Sequence, residues 1–229
     1  MKISIIIPTC HESERIEKLV HTLKNNSSER NIQEIIVVDA CSGDNTAEIA
    51  KRAGAKVFLT ERRGRALQMN TGANLATGDI FYFLHADTIP PKKFDERILQ
   101  SIKDGNDAGC FRMKFDSKHP FFRFFSWFTR FNNNLCRFGD QSLFAKRDLF
   151  GKINGFDINL KIMEDNDIVR RITKQGKFSV IPDYVVTSAR RYRKNGMLRL
   201  QWNYTVINIL YYLGFSQEEI VRYYQNHIQ

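Results

Sequence analysis

Three carboxylates in the first 90 residues stand where apolar runs give out. Glu12 follows Ile5-Ile6-Ile7-Pro8-Thr9, Asp39 follows Ile35-Ile36-Val37-Val38, and Asp87 follows Ile80-Phe81-Tyr82-Phe83-Leu84-His85-Ala86. Short continuous apolar runs of this kind read as strands buried on both faces, as in a parallel sheet. In open α/β sheets the ligand crevice lies beyond the carboxyl ends of the strands. A carboxylate placed there can accept hydrogen bonds from a base or ribose. The oxygens of Asp87 are hard ligands, suited to a divalent ion that holds phosphate. An Asp before Pro90-Pro91 equally suits a plain cap of the turn or of the next helix, and Glu12 and Asp44 can be ordinary caps as well. Neither G-x-G-x-x-G nor G-x-x-x-x-G-K-[ST] follows the first strand, so the dinucleotide and P-loop readings lose their main support. What is left is a nucleotide fold whose phosphates are held by a metal and basic side chains rather than by a glycine loop.

The elements that would position these groups alternate. Ile3 to Ile7 reads as a strand, and Ile16, Leu19, Val20 and Leu23 as one helix face with Ser13 as its cap. Ile35 to Val38 is a second strand, and Asp44 to Glu48 opens a helix running to Gly54. Val57 to Leu59 is a third strand, Ala66 to Ala76 a helix after Gly64, and the Ile80 run a fourth strand. Four strand–helix alternations imply a right-handed parallel sheet covered by helices. Further on come a helix through Phe94, Ile98 and Ile102 and a strand from Gly109 to Phe115, whose alternation predicts one wet face. A helix over Phe121 to Phe138 would place Phe121, Phe124, Phe125, Phe128, Phe131, Leu135 and Phe138 on one face and Arg123, Arg130 and Arg137 on another. Strands at 142–145 and 178–181, a helix from Asp165 to Gln175, and two tail helices split at Gly214-Phe215-Ser216 complete the pattern. With no linker and no internal repeat, residues 1–229 read as one domain. Its parts are a nucleotide-binding half (1–90), an acceptor and catalytic half (91–194) and a helical tail (195–229).

Composition narrows the class. Hydrophobic residues make up 42% of the 229, enough for a real core, which excludes a disordered chain. Cys10, Cys41, Cys110 and Cys136 are far apart, with no C-x-x-C pair, and the apolar run at the N-terminus is too short for a signal peptide. Both point to reduced thiols in a cytoplasmic protein. The net charge of +10 is matched by the stretch from Lys118 to Leu200 alone, with 17 Lys and Arg against 7 Asp and Glu. Such a face suits nucleotides, anionic lipid headgroups or nucleic acid, and charge does not choose among them.

The order of motifs does more. Ile5 to Glu12 resembles a P-T-x-N-E strand ending, and Val37-Val38-Asp39-Ala40-Cys41-Ser42-Gly43-Asp44-Asn45-Thr46 resembles V-V-D-D-x-S-x-D-x-T. Gly64-Arg65-Ala66 with Asn70-Thr71-Gly72 follows the outline G-x-x-x-A-x-N-x-G. His85-Ala86-Asp87 stands where a D-x-D motif belongs, and Gly139-Asp140-Gln141 and Met163-Glu164-Asp165 resemble acceptor-side and E-D motifs. Six such matches in order, over nearly the whole chain, resemble the family 2 glycosyltransferases with the GT-A fold. The H-A-D, G-D-Q and M-E-D variants are similar to the radical-SAM/selenodomain-associated subgroup.

That resemblance implies an α/β, Rossmann-like architecture: a mixed, mainly parallel sheet flanked by helices, with a helical C-terminal tail. It also implies an inverting transfer of sugar from a UDP- or GDP-sugar to a hydroxyl acceptor. Pro8, Thr9, Glu12, Asp39, Arg65, Ala86 and Asp87 would meet the nucleotide, and Asp87 would bind Mg²⁺ or Mn²⁺. Asp165 would be the general base, its proton affinity raised by the neighbouring Glu164. Gly139, Asp140 and Gln141 would orient the acceptor, and Arg190 and Arg191 would reach the diphosphate. Two departures stand out. Ala40 replaces a second Asp, and His85 replaces the first carboxylate of D-x-D, either as a ligand better suited to Mn²⁺ or as a hydrogen-bonding bystander.

Plainer readings remain beside these. A Glu-Asp pair at a helix start is usually a favourable dipole contact, and two arginines in a basic chain are more often a solvated face. The aromatic segment fits a helix in a membrane interface, core packing or a lid over the acceptor groove. A peripheral contact through 119–138 would place the protein at the inner face of the membrane. Two other functions compete: a sugar nucleotidyltransferase, and a non-enzymatic module that binds polyanions or an anionic membrane surface. Nucleic acid is not among the expected partners of the leading reading, which leaves the oligomeric state open.

Overall fold

The computed structural model describes residues 1–131 and 141–228. Eight strands form one sheet in the order β3-β2-β1-β4-β7-β6-β8-β5. Its first half follows directly from the apolar runs. Strands β1 (Ile3–Thr9), β2 (Ile32–Asp39), β3 (Lys56–Leu59) and β4 (Ile80–Phe83) pair in parallel, with Ile5 opposite both Ile35 and Tyr82. Alternate side chains leave opposite faces of a strand. Ile3, Ile5 and Ile7 therefore join one core with Ile16, Leu19, Val20 and Leu23 of α1 (Ser13–Asn26) and with Phe94, Ile98 and Ile102 of α4 (Phe94–Lys103). Ile6, Val38, Phe81 and Phe83 join the other. There they meet α3 (Arg65–Leu75), α6 (Arg147–Lys152) and α7 (Glu164–Gln175). On this second face a Cβ on Gly72 would overlap Ile6 Cγ2 and press on Val38, so only glycine lets α3 lie this close to the sheet.

The second half of the sheet turns over. β7 (Leu143–Lys146) runs antiparallel between β4 and β6 (Ala108–Phe115), and β8 (Phe178–Thr187) pairs with β6 in parallel and with β5 (Thr88–Ile89) antiparallel. The sheet is therefore mixed, as expected. The wet face expected of β6 is not general: residues 108–111 and 113 are buried, and only Arg112 and Lys114 reach outward. Sandwiched between β7 and β8 and covered on both faces, its first half has no solvent side.

Three local readings need correction. Ser13 is not a cap; it is the first helical residue of α1, and Asp44 accepts from its amide and from Thr46 Oγ1 (2.6 Å). Asp44 thus ties the start of α1 to that of α2 (Thr46–Arg52). Burial pushes its carboxyl up, but the Thr46 and Ser13 donors outweigh that and bring it down to about 2. Helix α5 spans Pro120–Phe128, and its buried face is Phe122 and Ser126, not the expected phenylalanine row. That face is chosen by what lies beneath: the Phe122 ring packs tilted on Phe115, centroids 4.7 Å apart, and Thr129 Oγ1 accepts from the Met113 amide. Leu135, Arg137 and Phe138 lie outside the described residues. Finally, α6 and α8 (Arg190–Asn195) were not expected at all.

The tail folds back as α9 (Met197–Tyr212) and α10 (Gln217–His227), with a small core of Leu200, Ile207, Ile220 and Ile228. A capping box starts α10: Ser216 Oγ accepts from the Glu219 amide while Glu219 holds the Ser216 amide. Among the described residues no helix is long and apolar enough to cross a membrane. Among the described residues Cys10, Cys41 and Cys110 form no disulfide; Cys136 lies outside them.

Candidate functional site

Beyond the carboxyl ends of β1 and β4 lies a cavity of about 560 Å³. Strand β1 delivers Pro8 and Thr9 to it, and the start of α1 delivers Glu12. The turn after β4 delivers His85, Ala86 and Asp87. Facing them is the first turn of α7 with Glu164 and Asp165, reached through Arg65 at the start of α3. Arg190 and Arg191 of α8 close a third side. These eleven expected residues therefore share one cleft.

Two arginines tie the walls together. The Arg65 Nε stands 2.8 Å from Glu164 Oε1 and joins α3 to α7. Arg190 donates to both Glu12 oxygens and lies 3.5 Å from Asp87 Oδ2, joining α8 to the strand ends. Burial pulls the Arg190 guanidinium down, but Glu12 and then Asp87 outweigh it and raise its pKa. On the opposing wall Glu164 is 1% exposed, and burial lifts its carboxyl above the ordinary range against the pull of Arg65, with Asp165 adding to the lift. Glu164 is the carboxyl of the pair that is removed from water, and its Arg65 partner only partly offsets that. Asp165 is half-buried at the cleft wall.

The turn that carries this pair is firmly held. Asn70 of α3 donates to Phe156 O (2.8 Å) and accepts from its amide (2.9 Å). Arg171 reaches Ile153 O, Gly155 O and Asp167. Met163 ends the turn in the left-handed region (φ 72°), an uncommon conformation for a residue with a side chain. Three acids then occupy the first turn of α7, where the helix dipole favours negative charge.

Other expected residues stand apart. Asp39 is 1% exposed, and its oxygens accept from Thr9 Oγ1 (2.8 Å) and from the amide and hydroxyl of Ser42. It braces Thr9 from behind the wall rather than lining the cleft. Ala40 is also buried, so a second carboxylate there would be withdrawn from water. Gln141 is buried beside Cys110 Sγ, away from the cleft lining. Gly139 and Asp140 lie outside the described residues. One contributor was missed: Gln68, whose Nε2 donates to Thr9 O and Val38 O (both 2.8 Å) and ties the ends of β1 and β2. Its place three residues after Arg65, on the same face of α3, was the available signal. Tyr204 and Tyr224 of the tail were also missed, since nothing in the tail's own pattern says where it docks.

As for a metal, Asp87 offers one carboxylate and His85 an imidazole. Among the described residues no group of three His, Cys, Asp or Glu could form a cage. Mg²⁺ and related ions are commonly held by one or two carboxylates together with substrate phosphates and waters. The donor set fits an ion shared with a diphosphate and does not fit an all-protein centre.

Known proteins are similar to this chain in sequence and in fold. A dolichol-phosphate mannosyltransferase of Pyrococcus furiosus is 27% identical over 97% of this chain and 66% of its own length. The glycosyltransferase AglE of Haloferax volcanii is 30% identical over 44% of this chain and 35% of its own. The chain thus spans two thirds or less of the length of these relatives. Among solved structures, TarS 1–349 of S. aureus in complex with UDP superposes with a TM-score of 0.69 at 20% identity, over 82% of this chain and 60% of that one. The mannosyltransferase of Pyrobaculum calidifontis in complex with GDP-Man and Mn²⁺ gives 0.65 at 20%, over 90% and 64%. The fold is therefore the GT-A arrangement. The model of glycosyl transferase family 2 matches residues 4–159, well over half of the sequence, and the chain belongs to that family.

Proposed function

We propose that this chain is an inverting glycosyltransferase that moves a sugar from a nucleoside-diphosphate sugar to a hydroxyl acceptor. The observation that carries the reading is the facing of two groups across one cleft: Glu12, Asp87 and Arg190 on one side, Arg65, Glu164 and Asp165 on the other. Thr9, Glu12 and the Asp39–Ser42 brace support a nucleoside at the ends of β1 and β2. UDP and GDP-Man bound in structures of similar fold support a UDP- or GDP-sugar as donor. Asp87, with His85 beside it, would hold a divalent ion, which when bound neutralises the diphosphate as it departs.

The chain's own residues supply the rest. Arg190 and Arg191 offer the diphosphate positive charge. Asp165 takes the proton from the acceptor hydroxyl as that oxygen attacks the anomeric carbon. The bond from that carbon to the diphosphate breaks, and the leaving group departs with its electron pair. One displacement inverts the centre. Glu164, paired with Arg65, positions Asp165 rather than exchanging protons. The acceptor hydroxyl enters from the side of β6, α5 and the tail, and a membrane contact through the 119–138 segment belongs to the same reading.

A nucleotidyltransferase would need a glycine-rich basic loop after β1, whereas Cys10-His11-Glu12 leads straight into α1. A polyanion-binding module would have no use for Asp165. The deciding experiment is a thermal-shift panel of nucleoside diphosphates with Mn²⁺, followed by transfer assays on Asp165→Asn. Stabilisation by at least one nucleotide, and loss of transfer with nucleotide binding intact, are the expected results; transfer surviving in Asp165→Asn would remove the base.

A further inference from the structure

The cleft has two chemically different ends. Its acids and arginines gather at the ends of β1 and β4 and the start of α7. The wall opposite the strand ends carries Met113, Phe115 and Phe125 from β6 and α5, and Ile207 and Val221 from the tail. The polar side chains interspersed there include the uncharged Gln201 and Asn208. A hydrocarbon fits such a wall better than the hydroxyl-covered surface of a free sugar does.

Helix α5 continues this character to the outside. Phe125 lines the cleft, yet its neighbours Phe124 and Trp127 are 59% and 46% exposed, and Phe131 follows at 41%. Arg123 and Arg130 flank them, with the Arg130 guanidinium 4.8 Å from the Trp127 ring. Helix α9 repeats the pattern: Gln201, Tyr204 and Asn208 face the cleft while Leu198, Trp202 and Ile209, with Leu213 just after the helix, stand exposed. The basic excess of the chain lies in this same stretch, including exposed Lys118, Arg193 and Lys194. A second copy of this face would bring like charges together. An anionic bilayer surface satisfies both the aromatic side chains and the arginines.

We infer that the acceptor is a membrane lipid: α5 docks on an anionic bilayer, the lipid's hydroxyl reaches Asp165, and its adjoining hydrocarbon lies against Phe125 and Val221. The inference rests on the sugar-transfer reading for the identity of the site. In the step it implies, a bond forms between the lipid hydroxyl oxygen and the anomeric carbon. The bond to the diphosphate breaks, the proton passes to Asp165, and the diphosphate keeps the electron pair.

The test uses the full chain with vesicles of phosphatidylcholine, with and without phosphatidylglycerol, read by co-sedimentation and tryptophan emission. Binding to the anionic vesicles only, weakened by salt, is expected. The double variant Phe124→Ser/Trp127→Ser should bind about tenfold more weakly or worse, as loss of one or two buried aromatic side chains implies, with its melting temperature unchanged. In the cleft itself, n-decanol should raise the melting temperature of the wild-type chain and not of Phe125→Ser, while glycerol raises neither. Indifference to anionic vesicles overturns the inference. So does the absence of a decanol shift, or a dimer in vesicle-free buffer that Phe124→Ser/Trp127→Ser disperses. Failure of the sugar-transfer reading shows separately, as loss of the nucleoside-diphosphate shift, which the surface variant leaves intact.

Discussion

The two walls of the cleft are built on different principles. The sheet wall, at the ends of β1, β2 and β4, is backed by dry cores on both faces and cross-braced by Gln68, Thr9 and Asp39. The helical wall of α8, α9 and α10 has a core of only four buried residues. Apart from the Tyr192 ring, which packs on Phe115 and Phe122, it is fastened to the rest by polar contacts: Arg190 to Glu12, Arg193 to Asp116, and Gln217 Oε1 accepting from the Lys161 and Ile162 amides. Apolar packing fixes the position of a wall closely, whereas a few partly exposed ion pairs can be exchanged for contacts to a ligand. On the proposed reading the nucleoside, the constant part of a substrate, falls to the stiff wall and the variable acceptor to the adjustable one, with Arg190 and Arg191 of α8 meeting the diphosphate between them.

Four measurements put that contrast to the test. The largest effect belongs to the jaw between the walls: Asp165→Asn should lower transfer by about 10²- to 10⁴-fold, the usual range for removing a general base, with nucleotide binding unchanged in a thermal-shift assay. Next is the stiff wall, where Gly72→Val drives methyl groups into Ile6 and Val38 and should cost about 1–3 kcal/mol of stability in urea titration. An unchanged midpoint would mean that the packing of α3 on the sheet is looser than described. In the adjustable wall, Ser216→Ala removes one half of the capping box and should cost about 1 kcal/mol. Hydrogen exchange should quicken in α10 while the strands keep their protection; equal quickening in β1 would erase the distinction.

The smallest effect is acid sensitivity at the far end of the stiff wall. Burial pushes the Glu34 carboxyl up, but Lys56 (2.6 Å), the Thr77 amide and hydroxyl, and Ser4 outweigh it and lower it from 4.5 to about 2. A carboxyl depressed in the folded state contributes stability that is complete above its unfolded pKa and fades as pH falls through the folded one. Stability should therefore decline between about pH 4.5 and 2, and Glu34→Gln should flatten that part of the curve. A slope unaltered in the variant would remove Glu34 from the account.

The same contrast explains what could be read from the sequence. The strands of the stiff wall announce themselves as apolar runs because both faces are covered, and each carboxylate at a run's end follows from the strand before it. Helix α5 did not announce its inner face. Counting phenylalanines gave a row through Phe121, Phe124 and Phe128, but Phe115 and Met113 beneath the helix select Phe122 and Thr129 instead. Gln68 was hidden because its two partners are backbone carbonyls of β1 and β2, which no side-chain pattern records. Arg190 was expected at the site, but its present partners, Glu12 and Asp87, come from 178 and 103 positions earlier in the chain, and only the folded sheet brings them together.

The Asn70 clamp on Phe156 carries a last consequence. Helix α3 bears Arg65 at one end and grips the approach to Asp165 through Asn70, so the proposed base and the arginine paired with its neighbour are tied to the same helix. A shift of α3 would reach Arg65 directly and the approach to Asp165 through Phe156. On the proposed reading, exchange of one acceptor for another is accommodated by reshaping β6, α5 and the tail without retuning the chemistry, which leaves acceptor preference free to diverge while the reaction stays the same.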